Sequence, residues 1–114
     1  KGAGLGFRFL RHVERTLLLL HLVDISDMSF GDPIENLKKV NRELSLYSKK
    51  LEKKPMFIAA TKIDIANTEK LKKLKNFCKS KDIPFFSISA VTGKGIKELT
   101  YCLYEKIKQL KSFH

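Results

Sequence analysis

The sequence predicts an α/β fold with parallel strands alternating with helices. Three observations predict it. Short apolar runs recur at residues 16–24, 56–60 and 84–88. Stretches with apolar residues three and four apart stand between and after them, the spacing of a one-sided helix. The first run is also too continuous for a half-wet sheet, and reads as a strand covered on both faces. Strand, helix, strand in that order implies right-handed crossovers and a mostly parallel sheet with helices on both faces.

The elements follow in order. Residues 7–14 form a helix after a glycine lead (Gly2, Gly4, Gly6), with Phe9, Leu10 and Val13 on one face and Thr16 at the end. Residues 16–24 are the first strand, and residues 26–31 a loop. Asp32-Pro33-Ile34-Glu35 starts a helix: Asp32 caps free N–H groups, Pro33 suits the first position, and Glu35 sits where a capping box closes. Ile34, Leu37, Val40 and Leu44 carry its buried stripe until Lys53-Lys54-Pro55 breaks the pattern. The second strand is residues 56–60. Residues 68–80 are helical, with Leu71, Leu74, Phe77 and Cys78 on one face. The third strand is residues 84–88, Gly93-Lys94-Gly95 is a turn, and Ile96, Leu99, Leu103, Ile107 and Leu110 stripe a last helix.

Composition excludes several classes. With 114 residues there is room for one core. A hydrophobic share of 43% with eight Phe excludes a disordered tail. Cys78 and Cys102 have neither metal spacing nor a disulfide framework, which suits a reducing compartment. The apolar run at residues 17–23 is shorter than the ~20 residues a membrane helix needs. Arg8, Arg11 and Arg15 before it imitate a signal peptide, but His21 interrupts the run and no small-residue cleavage site follows. A cytoplasmic protein is the expectation. The net charge of +11, from 23 Lys+Arg against 12 Asp+Glu, permits an anionic partner. Most lysines, including Lys70, Lys72, Lys73, Lys75 and Lys79, read as a solvated helix face.

In parallel sheets ligands bind beyond the carboxyl ends of the strands. That directs attention to residues 24–27, 61–64 and 89–92. In Thr61-Lys62-Ile63-Asp64, the carboxylate of Asp64 stands just past a strand, where it can accept two parallel hydrogen bonds. Guanine offers such a pair, its ring N1–H and its exocyclic amine; adenine does not. A mismatched base leaves the carboxylate unpaired. The long stem of Lys62 can cover a flat base while its ammonium stays wet. In Ser89-Ala90-Val91, the small Ala90 lets its N–H approach a ligand carbonyl such as guanine O6. Ser89 can hold a neighbouring carboxylate, and Val91 can pack on the base. The competing structural role for Asp64 is to cap the next helix, and for Ser89 to end a strand. Two such motifs in the right order, each after a short apolar strand, favour guanine recognition.

TKID followed by SAV resembles the base-recognition motifs of P-loop GTPases, usually written NKxD and SAK. Residues 1–16 (KGAGLGFRFLRHVERT), then LLLLHLVDIS, Asp32-Pro33 and ISAVTGKGIKEL, are similar to the Obg (CgtA) family of GTPases over essentially the whole chain. The resemblance implies a partial P-loop NTPase (G domain) fold. The 114 residues would be the C-terminal part of that domain, with no second domain, and the N-terminal half with its phosphate loop would lie upstream. It implies a protein that binds GTP, hydrolyses it to GDP with Mg²⁺, and acts with the large ribosomal subunit in its assembly. Carried onto this sequence, Asp64 reads guanine N1–H and N2, Lys62 lies across base and ribose, and Ala90 N–H meets O6. Ser89 matches the family. Thr61 stands where Asn is commonest and offers a hydroxyl in place of an amide. Val91 stands where many GTPases have Lys and Obg-type sequences commonly have Val.

Neither GxxxxGK[ST] nor DxxG occurs in these residues. The implied catalytic and Mg²⁺-binding residues are therefore expected outside them, and this segment alone is expected not to hydrolyse GTP. His12-Val13-Glu14 lacks the PCxxC of a zinc deaminase, and His12 and His21 have no Cys/His cluster with them. Ser26, Ser87 and Ser89 have no nucleophile triad around them in sequence. The alternative reading is a basic α/β module that binds rRNA or a protein partner without nucleotide, using Arg8, Arg11 and Arg15 on one helix face.

Overall fold

A computed structural model describes residues 6–13, 15–29 and 31–112, apart from the side chains of Phe7, Phe9 and His12. Gly2 and Gly4 of the glycine lead, the Glu14 end of the first helix, and the Phe9 and His12 side chains lie outside that description. The order is α1 (Phe7–Val13), β1 (Leu19–Asp24), α2 (Pro33–Tyr47), α3 (Lys49–Glu52), β2 (Met56–Thr61), a 3₁₀ turn (Ile63–Ile65), α4 (Thr68–Ser80), β3 (Phe85–Ser87) and α5 (Ile96–Lys111). The three strands form one parallel sheet in the order β1-β2-β3. The alternating parallel α/β class expected from the sequence is the one observed.

Register fixes which side chains share a face. Leu20, Leu22 and Val23 of β1 pair with Phe57, Ala59 and Ala60 of β2. On one face Val23, Ile58 and Ala60 meet Leu37 of α2 and Leu74 and Cys78 of α4 in the main core. On the other, Phe57 and Ala59 meet Ile88, Leu99 and Cys102 of the α5 side, with Phe57 and Phe86 stacked 5.5 Å apart. A third cluster joins Leu10 and Val13 of α1 to Leu44 and Leu51 of α2 and α3. Burial in these clusters supplies the main driving force, since it withdraws apolar area from water at about 25 cal/mol per Å².

The helix starts follow local chemistry. Asp32 accepts from the Ile34 N–H at 3.0 Å, and Pro33 takes the first helical position. Among the described residues no reciprocal bond from Glu35 completes a capping box. Asn67 caps α4 by accepting from the Lys70 N–H at 3.0 Å. Asp64, three residues before that cap, is therefore not the cap of that helix.

Three expectations need correction. The strand at residues 16–24 begins only at Leu19, because Thr16 turns its hydroxyl back onto the Val13 carbonyl at 2.8 Å and closes α1 instead. That strand is not covered on both faces. Leu20 and Leu22 are 37% and 56% exposed, because the cluster under α5 takes in β2 and β3 but no residue of β1. The long second helix also breaks before Lys53: Ser48 is extended, caps α3 through the Lys50 N–H at 3.1 Å, and divides the stretch into α2 and α3.

Candidate functional site

The carboxyl ends of β1, β2 and β3 lie side by side, and the loops that leave them are tied together by polar bonds. Asp24 and Thr61 are register partners at the last rung of the β1–β2 ladder. The Thr61 hydroxyl turns inward and donates to the Val23 carbonyl at 3.4 Å. Ile63 N–H then donates to the Ile88 carbonyl at 3.3 Å, drawing the loop after β2 onto the end of β3.

Lys62 stands between these two attachments in the left-handed region, with φ 61° and ψ 38°. A non-glycine residue there is uncommon and carries a conformational cost. The conformation carries the chain from strand into the 3₁₀ turn, and the Lys62 side chain reaches toward β1. Its Nζ lies 3.0 Å from Asp24 Oδ2. The other oxygen of Asp24 accepts from the Ser26 N–H at 2.9 Å and the Ser26 hydroxyl at 2.8 Å. Those bonds, the Ser26 backbone N–H first and then the Lys62 and Ser26 side chains, pull the Asp24 carboxyl down from 3.8 to about 2, against a smaller opposing effect of desolvation.

Asp64 sits in the middle of the 3₁₀ turn with its side chain exposed. The Ser89 hydroxyl donates to Asp64 Oδ1 at 2.8 Å. Ser89 itself is fully buried and multiply held. Its N–H donates to the Lys94 carbonyl, its carbonyl accepts from the Gly93 N–H, and its hydroxyl accepts from the Thr92 N–H at 3.1 Å. A buried hydroxyl with both roles satisfied makes a rigid support for the carboxylate. Asp64 keeps Oδ2, and further lone pairs, for another partner.

The loop after β3 closes on two glycines in the left-handed region, Gly93 and Gly95. Gly95 is the strict requirement. A Cβ there would come within 2.0 Å of the Ser87 carbonyl oxygen. This close approach lets α5 start directly beneath the loop and leaves Ala90 and Val91 exposed at its tip, Val91 at 85%. Among the described residues no acceptor engages the Ala90 N–H.

The structure thus brings Thr61, Lys62, Asp64, Ser89, Ala90 and Val91 to one end of the sheet. Asp64, Lys62, Ala90 and Val91 present accessible surface, while Thr61 and Ser89 face inward. Two contributors were not singled out in the sequence. In the sequence Asp24 stands only within the loop at residues 24–27, and its place opposite Thr61 emerges from the strand register. Lys70 is not on a solvated face as expected. Its Nζ donates to the carbonyls of Ser26 and Ser29 and to the Ser29 hydroxyl at 2.7–3.1 Å, pinning the loop after β1 to α4. Asn67 adds a side-chain bond to Asp27 and a backbone bond to the Ile25 carbonyl at 2.8 Å.

Other chemistry is not assembled. Cys78 and Cys102 are both free, and burial pushes the Cys78 thiol up to about 11, away from reactivity. Burial lowers the pKa of His21. Among the described residues no three His, Cys, Asp or Glu side chains come together as a metal site, and no helix is long and apolar enough to cross a membrane.

Comparison with known proteins agrees with the fold. The family model described as the Ras family matches residues 10–109. A protein named GTPase Obg from Thermodesulfovibrio yellowstonii is 56% identical over 108 residues, covering 94% of this chain and 32% of that protein. GTPase Obg from Acidobacterium capsulatum is 50% identical over 112 residues, covering 97% and 33%, and that from Aquifex aeolicus 44% over the same length and shares. The chain spans about a third of the length of these relatives. Similarity of this extent, together with the parallel sheet and its loops, means that the chain belongs to the Ras-like G domains and matches GTPase Obg proteins over part of their length.

Proposed function

We propose that the loops after β2 and β3 form the base-binding part of a guanine nucleotide site. Asp64 accepts from guanine N1–H and the exocyclic amine, the Ala90 N–H donates to O6, and the Lys62 stem and Val91 cover the two faces of the ring. Ser89 holds Asp64, and Thr61 ties the loop to the sheet. The observation that carries this reading is the Ser89–Asp64 bond of 2.8 Å, which joins the two sequence motifs into one support. A carboxylate already fixed before ligand arrives loses little freedom on binding.

On this reading the 114 residues are the C-terminal part of an Obg-type G domain. The whole protein binds GTP and hydrolyses it to GDP with Mg²⁺. It works with the large ribosomal subunit or its rRNA during assembly, in the cytoplasm. The residues here do not fit the metal: the phosphate-loop hydroxyl that would hold Mg²⁺ has no counterpart in the sequence, and among the described residues no His, Cys, Asp or Glu cluster forms a metal site. The phosphates, the ion and the hydrolytic step therefore belong to residues beyond this segment, and the segment's own contribution is selection of the base.

Ser89→Ala in the full chain tests the support. It should weaken GDP binding about tenfold or more, the order expected for losing a hydrogen bond to a charged group. Discrimination against ADP should narrow with it. Calorimetric titration with both nucleotides reads the outcome; undiminished discrimination contradicts the pocket.

A further inference from the structure

We infer that Asp24, a residue outside both base-recognition motifs, is the positioning residue for Lys62, holding its ammonium at the end of β1 so that its aliphatic stem lies ready along one face of the base. The inference rests on the guanine-pocket reading and adds to it a specific division of labour between strands.

The geometry is fixed at every joint. Asp24 closes β1 opposite Thr61, so its carboxylate is one residue from Lys62 across the ladder. Oδ1 is occupied by the Ser26 N–H and hydroxyl, which sets the plane of the carboxylate. Ser26 is 1% exposed, is bridged to Ala66, and has its carbonyl held by the Lys70 ammonium. Oδ2 is left facing Lys62 and receives its Nζ at 3.0 Å. The left-handed backbone of Lys62 completes the arrangement, because it launches the side chain across the strand ends. The Lys62 side chain is still 54% exposed, so tethering its tip leaves its stem accessible.

The physical consequence is pre-organisation. A lysine side chain on a surface samples many rotamers, and ordering it costs conformational entropy. A tether at the ammonium meets part of that cost before ligand binds. Lys62 contacts the face of a base and not its edge, so the tether strengthens binding of any purine base that Asp64 admits, without choosing among them. Asp24 thus governs affinity, and Asp64 governs identity.

A double-mutant cycle in the full chain separates the two. Asp24→Asn keeps an acceptor for Ser26 but loses the charge opposite Lys62. It should weaken GDP binding, and xanthosine diphosphate binding in an Asp64→Asn background, each about threefold to fivefold, the range of an exposed ion pair. In the Lys62→Met background the same substitution should change affinity less than about 1.5-fold, since no ammonium remains to be held. Asp24→Glu, which restores the charge, should return affinity to within about twofold of the parent. Equal losses in the two Lys62 backgrounds, or no loss in either, overturn the inference: the first outcome makes Asp24 merely a loop support, the second makes it idle. Asp64→Asn in the same assay reports on the pocket itself. If it leaves guanine preference intact while the Asp24–Lys62 coupling persists, the base-pocket reading has failed and the face-covering role assigned to Lys62 falls with it. If guanine preference shifts but the coupling is absent, only the present inference is lost.

Discussion

The carboxyl ends of the β1–β2 pair and the open face of β1 behave in opposite ways. At the carboxyl ends, Asp24, Lys62, Asp64 and Ser89 are fixed by short polar bonds to loops that are themselves anchored. Along the body of β1, Leu20 and Leu22 lie open on the face that α5 covers only over β2 and β3. The polar end is settled within the segment. The apolar face is not, and among the described residues the outer edge of β1 has no strand partner. The contrast teaches that a site can be organised by local hydrogen bonds while the sheet beneath it still offers apolar area. Local loops need only near neighbours, whereas covering a sheet face needs a whole further layer.

The sharpest way to break that contrast is to cut both faces of the sheet. Ile58 is fully buried under α2 and α4, so Ile58→Ala should cost about 2–5 kcal/mol. Leu22→Ala, measured in these 114 residues, should stay within about 0.5 kcal/mol. Denaturant unfolding of the two variants gives both numbers. Equal costs would mean that the face of Leu22 is covered after all.

A smaller effect is expected at the polar end. Gly95→Ala places a Cβ against the Ser87 carbonyl in a left-handed conformation, and should cost about 2–3 kcal/mol. The backbone amide signals of Ser89 to Val91 should move most, because the loop is closed on Ser89 through Gly93 and Lys94. If the variant matches the parent in both stability and spectrum, Gly95 does not set the loop.

Much of this could be read from the residues alone, and the failures have physical causes. The caps at Asp32 and the stripe of α4 were readable because capping and periodicity are local. The juxtaposition of TKID with SAV was readable because strand ends in a parallel sheet share one edge. The break at Ser48 was hidden because Ser48 lies inside an otherwise regular charged stretch, and its capping role shows only once α3 turns away. The open face of β1 was hidden because an apolar run looks the same whether its cover is present or not. The Asp24–Lys62 pair was hidden because the two residues are 38 positions apart and meet only through the register. The role of Lys70 was hidden as well, because composition cannot tell a solvated lysine from one reaching across to a loop carbonyl.

The central claim, that Asp64 reads the guanine edge, has a direct measurement. The dissociation constants of GDP and xanthosine diphosphate are compared between the parent full chain and Asp64→Asn. An amide in place of the carboxylate can donate to the 2-oxo group of xanthine, and no longer accepts the charge-assisted pair from guanine. The account predicts that GDP binding falls by about tenfold or more and that preference inverts toward the xanthine nucleotide. Unchanged GDP affinity, with no gain for xanthosine diphosphate, would contradict it.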